Sequence, residues 1–226
     1  MTLHILFEDN HLLAVDKPAC MPAVPDASGD PSLLEAAKAY LKLKYAKPGE
    51  VFLGVVHRLD RPVSGVLLFA RTSKAASRLS ESWRSGAVRK EYLGWSEERS
   101  ARAEAEGEGE VEQWLVKDEA RNLVQAVPAA RAGVDGAKRA VTRWRILRAD
   151  ASGTRLALEP LSGRSHQLRV ACSALGLPLA GDLKYGAARA LPDARIGLHA
   201  SRLVVPHPVG GAELVLTSEE PRRKLE

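Results

Sequence analysis

Cysteine is scarce in this 226-residue chain. Cys20 and Cys172 stand far apart and form no CxxC pair, which excludes a disulfide framework and a cysteine-built zinc site. Long apolar runs are also missing. The longest, Leu12 to Val15 and Val66 to Ala70, fall far short of the roughly 18 residues a membrane-spanning helix needs. The opening MTLHILFEDN has no basic stretch leading into an apolar segment and a small-residue cleavage site, so the cytoplasm is the expected location. No His pair has HExxH or comparable ligand spacing, and no metal is expected. Internal repeats are absent, and no linker divides the chain. With 45% hydrophobic and 27% charged residues, the composition excludes wholesale disorder and predicts one globular domain over residues 1–226.

The net charge of +5 hides an uneven distribution. Residues 97–112, EERSARAEAEGEGEVE, hold seven Glu against two Arg, a net of −5, which leaves +10 on the rest of the chain. Residues 57–90 alone carry eight Arg or Lys against Asp60 and Glu81. A basic body of this kind either is a solvated surface or engages a polyanion such as nucleic acid through phosphate neutralisation. The acidic stretch, with two glycines and no apolar periodicity, reads as an exposed loop or hairpin turned away from any such polyanion.

Local patterns give short strands at Leu3–Phe7 and Leu12–Val15, then a helix carrying Leu33, Leu34, Ala37 and Leu41 behind an Asp30 cap and Pro31. Ser64–Thr72 contains VLLFA, a buried strand or a helix fragment, and Gly65 with the cap that follows favours the strand. A helix capped by Ser73 should follow, with Ala76, Leu79 and Trp83 as its stripe. Further strands are expected at Lys90–Trp95, Leu123–Val127, Lys138–Leu147 and Thr154–Glu159, and a helix at about Ser165–Leu175 with Cys172 buried in its apolar stripe. The order is unlike repeated βαβ units and predicts an α+β fold with a mainly antiparallel sheet.

Three clusters carry candidate chemistry. In VVHRLDRPVSGVLLFART, Asp60 lies between Arg58 and Arg61, and two fixed cations favour its ionised form. It is then suited to act as a nucleophile or electrostatic stabiliser, or it merely ties down the loop. In LEPLSGRSHQLRV, Arg164 and Ser165 stand at the mouth of a helix whose first turns carry His166, Gln167 and Arg169, a place where an anion or a carboxylate can bind. His166 taken alone reads as a satisfied hydrogen-bonding residue. In KEYLGW, Tyr92 offers a ring for stacking or core packing.

Taken together, HRLDRPVSGVLLFAR, KEY and LSGRSHQLR resemble, in order, the three motifs of the RluA family of RNA pseudouridine synthases. ILFEDNHLLAVDKPACMPAVP, GLPLAGDLKYG and LHASRLVVPHP extend the likeness from about residue 5 to about residue 210. The resemblance implies the pseudouridine synthase fold, a mixed and mainly antiparallel sheet in two halves with a central catalytic cleft. It also implies uridine isomerisation without cofactor or metal, with RNA, ribosomal or transfer, as partner. By position it makes Asp60 the catalytic carboxylate, Tyr92 the ring on the target base and Arg164 the partner of Asp60. Arg58, Arg61, Lys90, His166, Gln167 and Arg169 become candidate RNA contacts.

Cys20 stands where the family commonly has glycine, and Arg61-Pro62-Val63 replaces a more polar triplet. The synthase-like sequence starts almost at Met1, so a catalytic domain alone is expected, and nothing in the sequence requires more than a monomer. A catalytically silent RNA-binding protein on the same fold is the alternative. A retaining glycosidase is disfavoured, since no second carboxylate recurs near Asp60.

Overall fold

The computed structural model describes residues 3–132 and 136–220, which form two compact units, Met1–Lys90 with His199–Glu226, and Glu91–Leu198. In chain order the first unit contains β1 (His4–Glu8), β2 (Leu12–Lys17), α1 (Leu33–Lys44), β3 (Gly54–Val55), β4 (Ser64–Ala70) and α2 (Ser73–Arg84). The chain enters the second unit within β5 (Arg89–Ser96). It continues through α3 (Ala101–Glu106), β6 (Glu108–Asp118), β7 (Leu123–Val127), β8 (Lys138–Asp150), β9 (Gly153–Pro160) and α4 (Gln167–Ala174). It then returns to the first unit as β10 (Leu198–Pro206) and β11 (Glu213–Thr217).

In the first unit, β2 pairs antiparallel with β1 and β4, and β10 joins β4 in parallel through His199 opposite Ser64 and Ala200 opposite Gly65. All seven residues of β4 are buried. That is why its sequence is a continuous apolar run rather than an alternating one. Leu12, Ala14, Val66, Leu68 and Ala70 pack with Ala75 and Leu79 of α2 and Leu203 and Val205 of β10. Trp83 and Ala76 complete the α2 side of this cluster.

The helix starts differ from the sequence expectation by one or two residues. Ser32, not Asp30, caps α1, because Ser32 and Glu35 form a reciprocal capping box. Asp30 is instead engaged by Arg61 at 2.6 Å. Thr72, not Ser73, caps α2 by accepting the Ala75 N–H.

The parallel pairing of β4 with β10 demands glycine at Gly65. Its φ is +114°, and a Cβ there would lie 2.2 Å from the carbonyl oxygen of Ala200. Left-handed strain and a backbone clash together should cost about 3 kcal/mol in Gly65→Ala, lowering Tm by roughly 6–12 °C in a chain of this size. A thermal melt unchanged within about 2 °C would show that this contact can relax.

The second unit is an antiparallel sheet in the order β5-β9-β8-β6-β7. It corrects the reading of residues 97–112 as a loop or hairpin. Ser100 caps the short helix α3, and residues from Glu108 onward enter the eleven-residue strand β6. The alternation Glu108, Gly109, Glu110, Val111, Glu112 is strand periodicity, with carboxylates on one face. Those charges are matched across the strand pair by Arg139 with Glu112 and Arg143 with Glu110, both at 2.7 Å. Arg102 with Glu106 and Arg99 with Glu104 do the same around α3. Among the described residues no helix is long and apolar enough to cross a membrane, and no three His, Cys, Asp or Glu side chains come together to hold a metal ion.

Candidate active site

The Asp60 loop runs from the end of β3 to the start of β4 and is held at both ends and in its middle. At the entry, the backbone N–H of Leu68 donates to His57 Nε2 at 2.9 Å, and the imidazole stacks on Trp83 with centroids 5.0 Å apart. An Nε2 that accepts places the ring proton on Nδ1, and the ring is neutral. Desolvation, with Lys90's charge as the smaller cause, pulls this histidine down to about 3. At the exit, the Val63 N–H donates to the Asp60 carbonyl at 3.0 Å, closing a turn. Leu59 and Val63 are buried on either side, which leaves Asp60 half-exposed between two inward anchors.

The middle is held by Lys17, the last residue of β2. It is fully buried, and its ammonium donates to the carbonyls of Pro18 at 2.9 Å, Met21 at 2.8 Å and Arg61 at 3.1 Å. Three donors meeting three carbonyls use the whole hydrogen-bonding capacity of the group. Its role was not anticipated from sequence. The available signal was a lysine terminating an apolar strand directly before Pro18, where a solvated side chain would have been out of place.

Burial pulls Lys17 down to about 8, against the opposing pull of Cys20 and Asp60, with Arg61 adding to the fall. A lysine whose folded value lies below its unfolded one is penalised while charged. The unfolded chain therefore holds the extra proton between about pH 8 and 10.4, and this group's contribution to stability rises with pH across that window. Urea unfolding of the wild type and Lys17→Met should show their stability difference shifting in favour of the wild type over that range. A flat difference would mean that the ammonium is not desolvated.

Cys20 adopts φ +66° in the Lys-Pro loop. It takes the left-handed conformation that glycine ordinarily supplies, so the departure in residue type leaves the turn intact. Arg61, expected to face RNA and flank Asp60, directs its guanidinium to Asp30 and to Ser28 Oγ, both at 2.6 Å. Arg58 is exposed, and Lys90 is half-exposed at the start of β5.

The second unit holds the other candidates. Tyr92 lies half-exposed on β5 opposite Leu158. Side chains alternate along a strand, so the groove lined by Glu91, Glu108, Glu110, Arg143 and Glu159 opens on the sheet face opposite that of Tyr92. Arg164 is exposed on the turn before α4, and its Nε donates to the Arg139 carbonyl at 3.1 Å. His166, with φ +51°, occupies the N-cap position of α4 without a side-chain capping bond and places Nδ1 2.7 Å from the Tyr185 hydroxyl.

Two residues expected as RNA contacts are turned inward instead. Gln167 is 3% and Arg169 7% exposed. Arg169 forms a bidentate pair with Asp182 at 2.7 Å on both arms and lies 4.8 Å over the Tyr185 ring. Helical spacing places positions 167 and 169 in the first turn of α4. It does not say which way that turn faces, and β8 and Asp182 claim both side chains. Cys172 on the same helix is fully buried, its thiol pushed up to about 12 by desolvation and then by Asp182.

The family model for RNA pseudouridylate synthase matches residues 11–174. Over 221 residues the chain is 32% identical to the dual-specificity RNA pseudouridine synthase RluA of Haemophilus influenzae, covering 96% of this chain and 93% of that one. An RNA pseudouridine synthase of Zymomonas mobilis is 36% identical over 202 residues, 89% of this chain and 86% of its own. Among solved structures, human RNA pseudouridylate synthase domain containing 4 matches with a TM-score of 0.77 at 26% identity, over 97% of this chain and 89% of that one. The two units, mainly antiparallel sheets with few helices, are those of a pseudouridine synthase domain. The chain belongs to the RNA pseudouridylate synthase family and is an isomerase that converts uridine in RNA to pseudouridine.

Proposed function

We propose that Asp60 is the carboxylate that starts the isomerisation, that Tyr92 packs on the target uracil, and that Arg164 is the active-site arginine. The observation that carries the reading is the Asp60 loop itself. A half-exposed aspartate sits on a backbone fixed by a fully buried ammonium and a neutral imidazole, which is how a reacting group is held in register.

The reaction breaks the bond from uracil N1 to C1′, turns the base and joins C5 to C1′. C5 then gives up its proton and N1 gains one, so atoms balance without a co-reactant. Asp60 can open the sequence by attack at C1′ or by removing a sugar proton, and both routes need it ionised. The base must leave the stack, and aromatic stacking, Arg58 entering the disturbed stack and a phosphate contact from Lys90 offset the few kcal/mol this takes. His166 adds a polar contact at the mouth of α4.

The substrate we propose is structured ribosomal or transfer RNA. The near end-to-end match to relatives whose name includes dual specificity supports more than one RNA target. We place the enzyme in the cytoplasm as a single-domain monomer working without cofactor or metal. Mapping pseudouridine in ribosomal and transfer RNA from cells with and without the gene tests the substrate. Sites that disappear with the gene and return with the wild-type copy alone are the expected result. An unchanged map would overturn the assignment.

A further inference from the structure

We propose that Gln167 is the positioning residue for Arg164, holding the arginine turn on β8 so that its guanidinium is presented in one orientation. The inference rests on the reading of Arg164 as the active-site arginine.

Gln167 grips the turn from both ends. Its backbone N–H donates to the Arg164 carbonyl at 3.3 Å, and its Oε1 accepts from the Arg164 N–H at 3.2 Å and from Ser162 Oγ at 2.7 Å. Its Nε2 donates to the Val141 carbonyl at 2.8 Å and to Thr142 Oγ1 at 3.0 Å. Two donors and two acceptances use the full capacity of a primary amide, in a side chain almost wholly buried.

The remaining contact completes the geometry. Arg164 Nε donates to the carbonyl of Arg139, two residues before the Val141 carbonyl that Gln167 holds on the same strand. The turn and the guanidinium are thus both referenced to β8, one through the amide and one directly. An exposed arginine has many rotamers, and a turn fixed at its peptide restricts which of them reach Arg139. An apolar side chain at 167 would leave the Arg164 N–H and the Val141 carbonyl without this partner, and the turn would shift.

The test is a mutant cycle read by tritium release from RNA labelled at uracil C5. Gln167→Met should lower kcat by about 30- to 100-fold while KM stays within about threefold, because phosphate contacts are untouched and orientation is lost. On an Arg164→Ala background the same substitution should cost less than about threefold. A merely structural role predicts equal losses in both backgrounds, and that result would overturn the proposal. If Arg164→Ala itself runs within about threefold of wild type, the active-site reading of Arg164 fails and the proposal falls with it. Should Gln167→Met not fold, Gln167→Glu enters the same cycle. It keeps an acceptor for the Arg164 N–H but sets an oxygen against the Val141 carbonyl, and its loss should likewise vanish without Arg164.

Discussion

Asp60→Ala is expected to abolish tritium release from RNA labelled at uracil C5, with turnover falling at least about 10⁴-fold, the scale seen when a reacting side chain is removed. Asp60→Asn should be as inactive, since the amide neither attacks C1′ nor takes a proton. RNA affinity should stay within about threefold for both, because binding rests on phosphate neutralisation by Arg and Lys and not on a lone carboxylate. Asp60→Glu is the more discriminating change. It keeps the charge but moves the carboxylate by one methylene. With Lys17 on the Arg61 carbonyl and Val63 on that of Asp60, the backbone has little room to follow. A loss of about 100-fold is expected. Residual Asp60→Ala turnover within tenfold of wild type would sink the assignment, and equal losses of binding and turnover would remove the separation between chemistry and recognition.

The parts of this architecture that were legible in the sequence are those whose pattern has one physical solution. VLLFA had to be buried, with Gly65 and the helix cap behind it favouring a strand over a helix fragment, and Leu33, Ala37 and Leu41 had to face a core. The motif residues could be located because their order and spacing resemble a known family. Where the reading failed, two solutions shared one pattern. Glutamates at every second position fit an exposed loop or hairpin, although the same alternation is the outer face of a long strand once Arg139 and Arg143 stand opposite. Asp30 and Ser32 were both capable caps, and the choice fell to Ser32 because Glu35 completes its box while Arg61 draws Asp30 away. Neither partner is visible in a local window.

The same limit explains the arginines. Arg58, Arg61, Arg164 and Arg169 look alike in sequence, yet one is exposed, one is held by an aspartate loop, one is set on a turn and one is buried. Charge counting therefore identified a basic body but not which cations reach phosphate. The acidic segment is likewise less of a repulsive patch than its count implied, since Glu104, Glu106, Glu110 and Glu112 each meet a guanidinium.

Asp182→Ala should be the most destabilising single change in the second unit. Asp182 is 1% exposed, and both its oxygens are taken by the Arg169 guanidinium, whose opposite face covers Tyr185. Removing the carboxylate takes the bidentate counter-charge from a buried guanidinium, which costs about 3–5 kcal/mol. That corresponds to a fall in Tm of roughly 6–20 °C. Tyr185 carries the damage outward, because its hydroxyl accepts from the Val124 N–H at 2.9 Å and meets His166 at 2.7 Å. The double variant Asp182→Leu with Arg169→Met should recover most of the loss, since replacing both ions avoids the stranded charge. Recovery would show that the pair is retained for geometry at the start of α4 and not for net stability. If the double variant instead melts as low as Asp182→Ala, the ion pair itself contributes the stability, and the stranded-charge account is refuted.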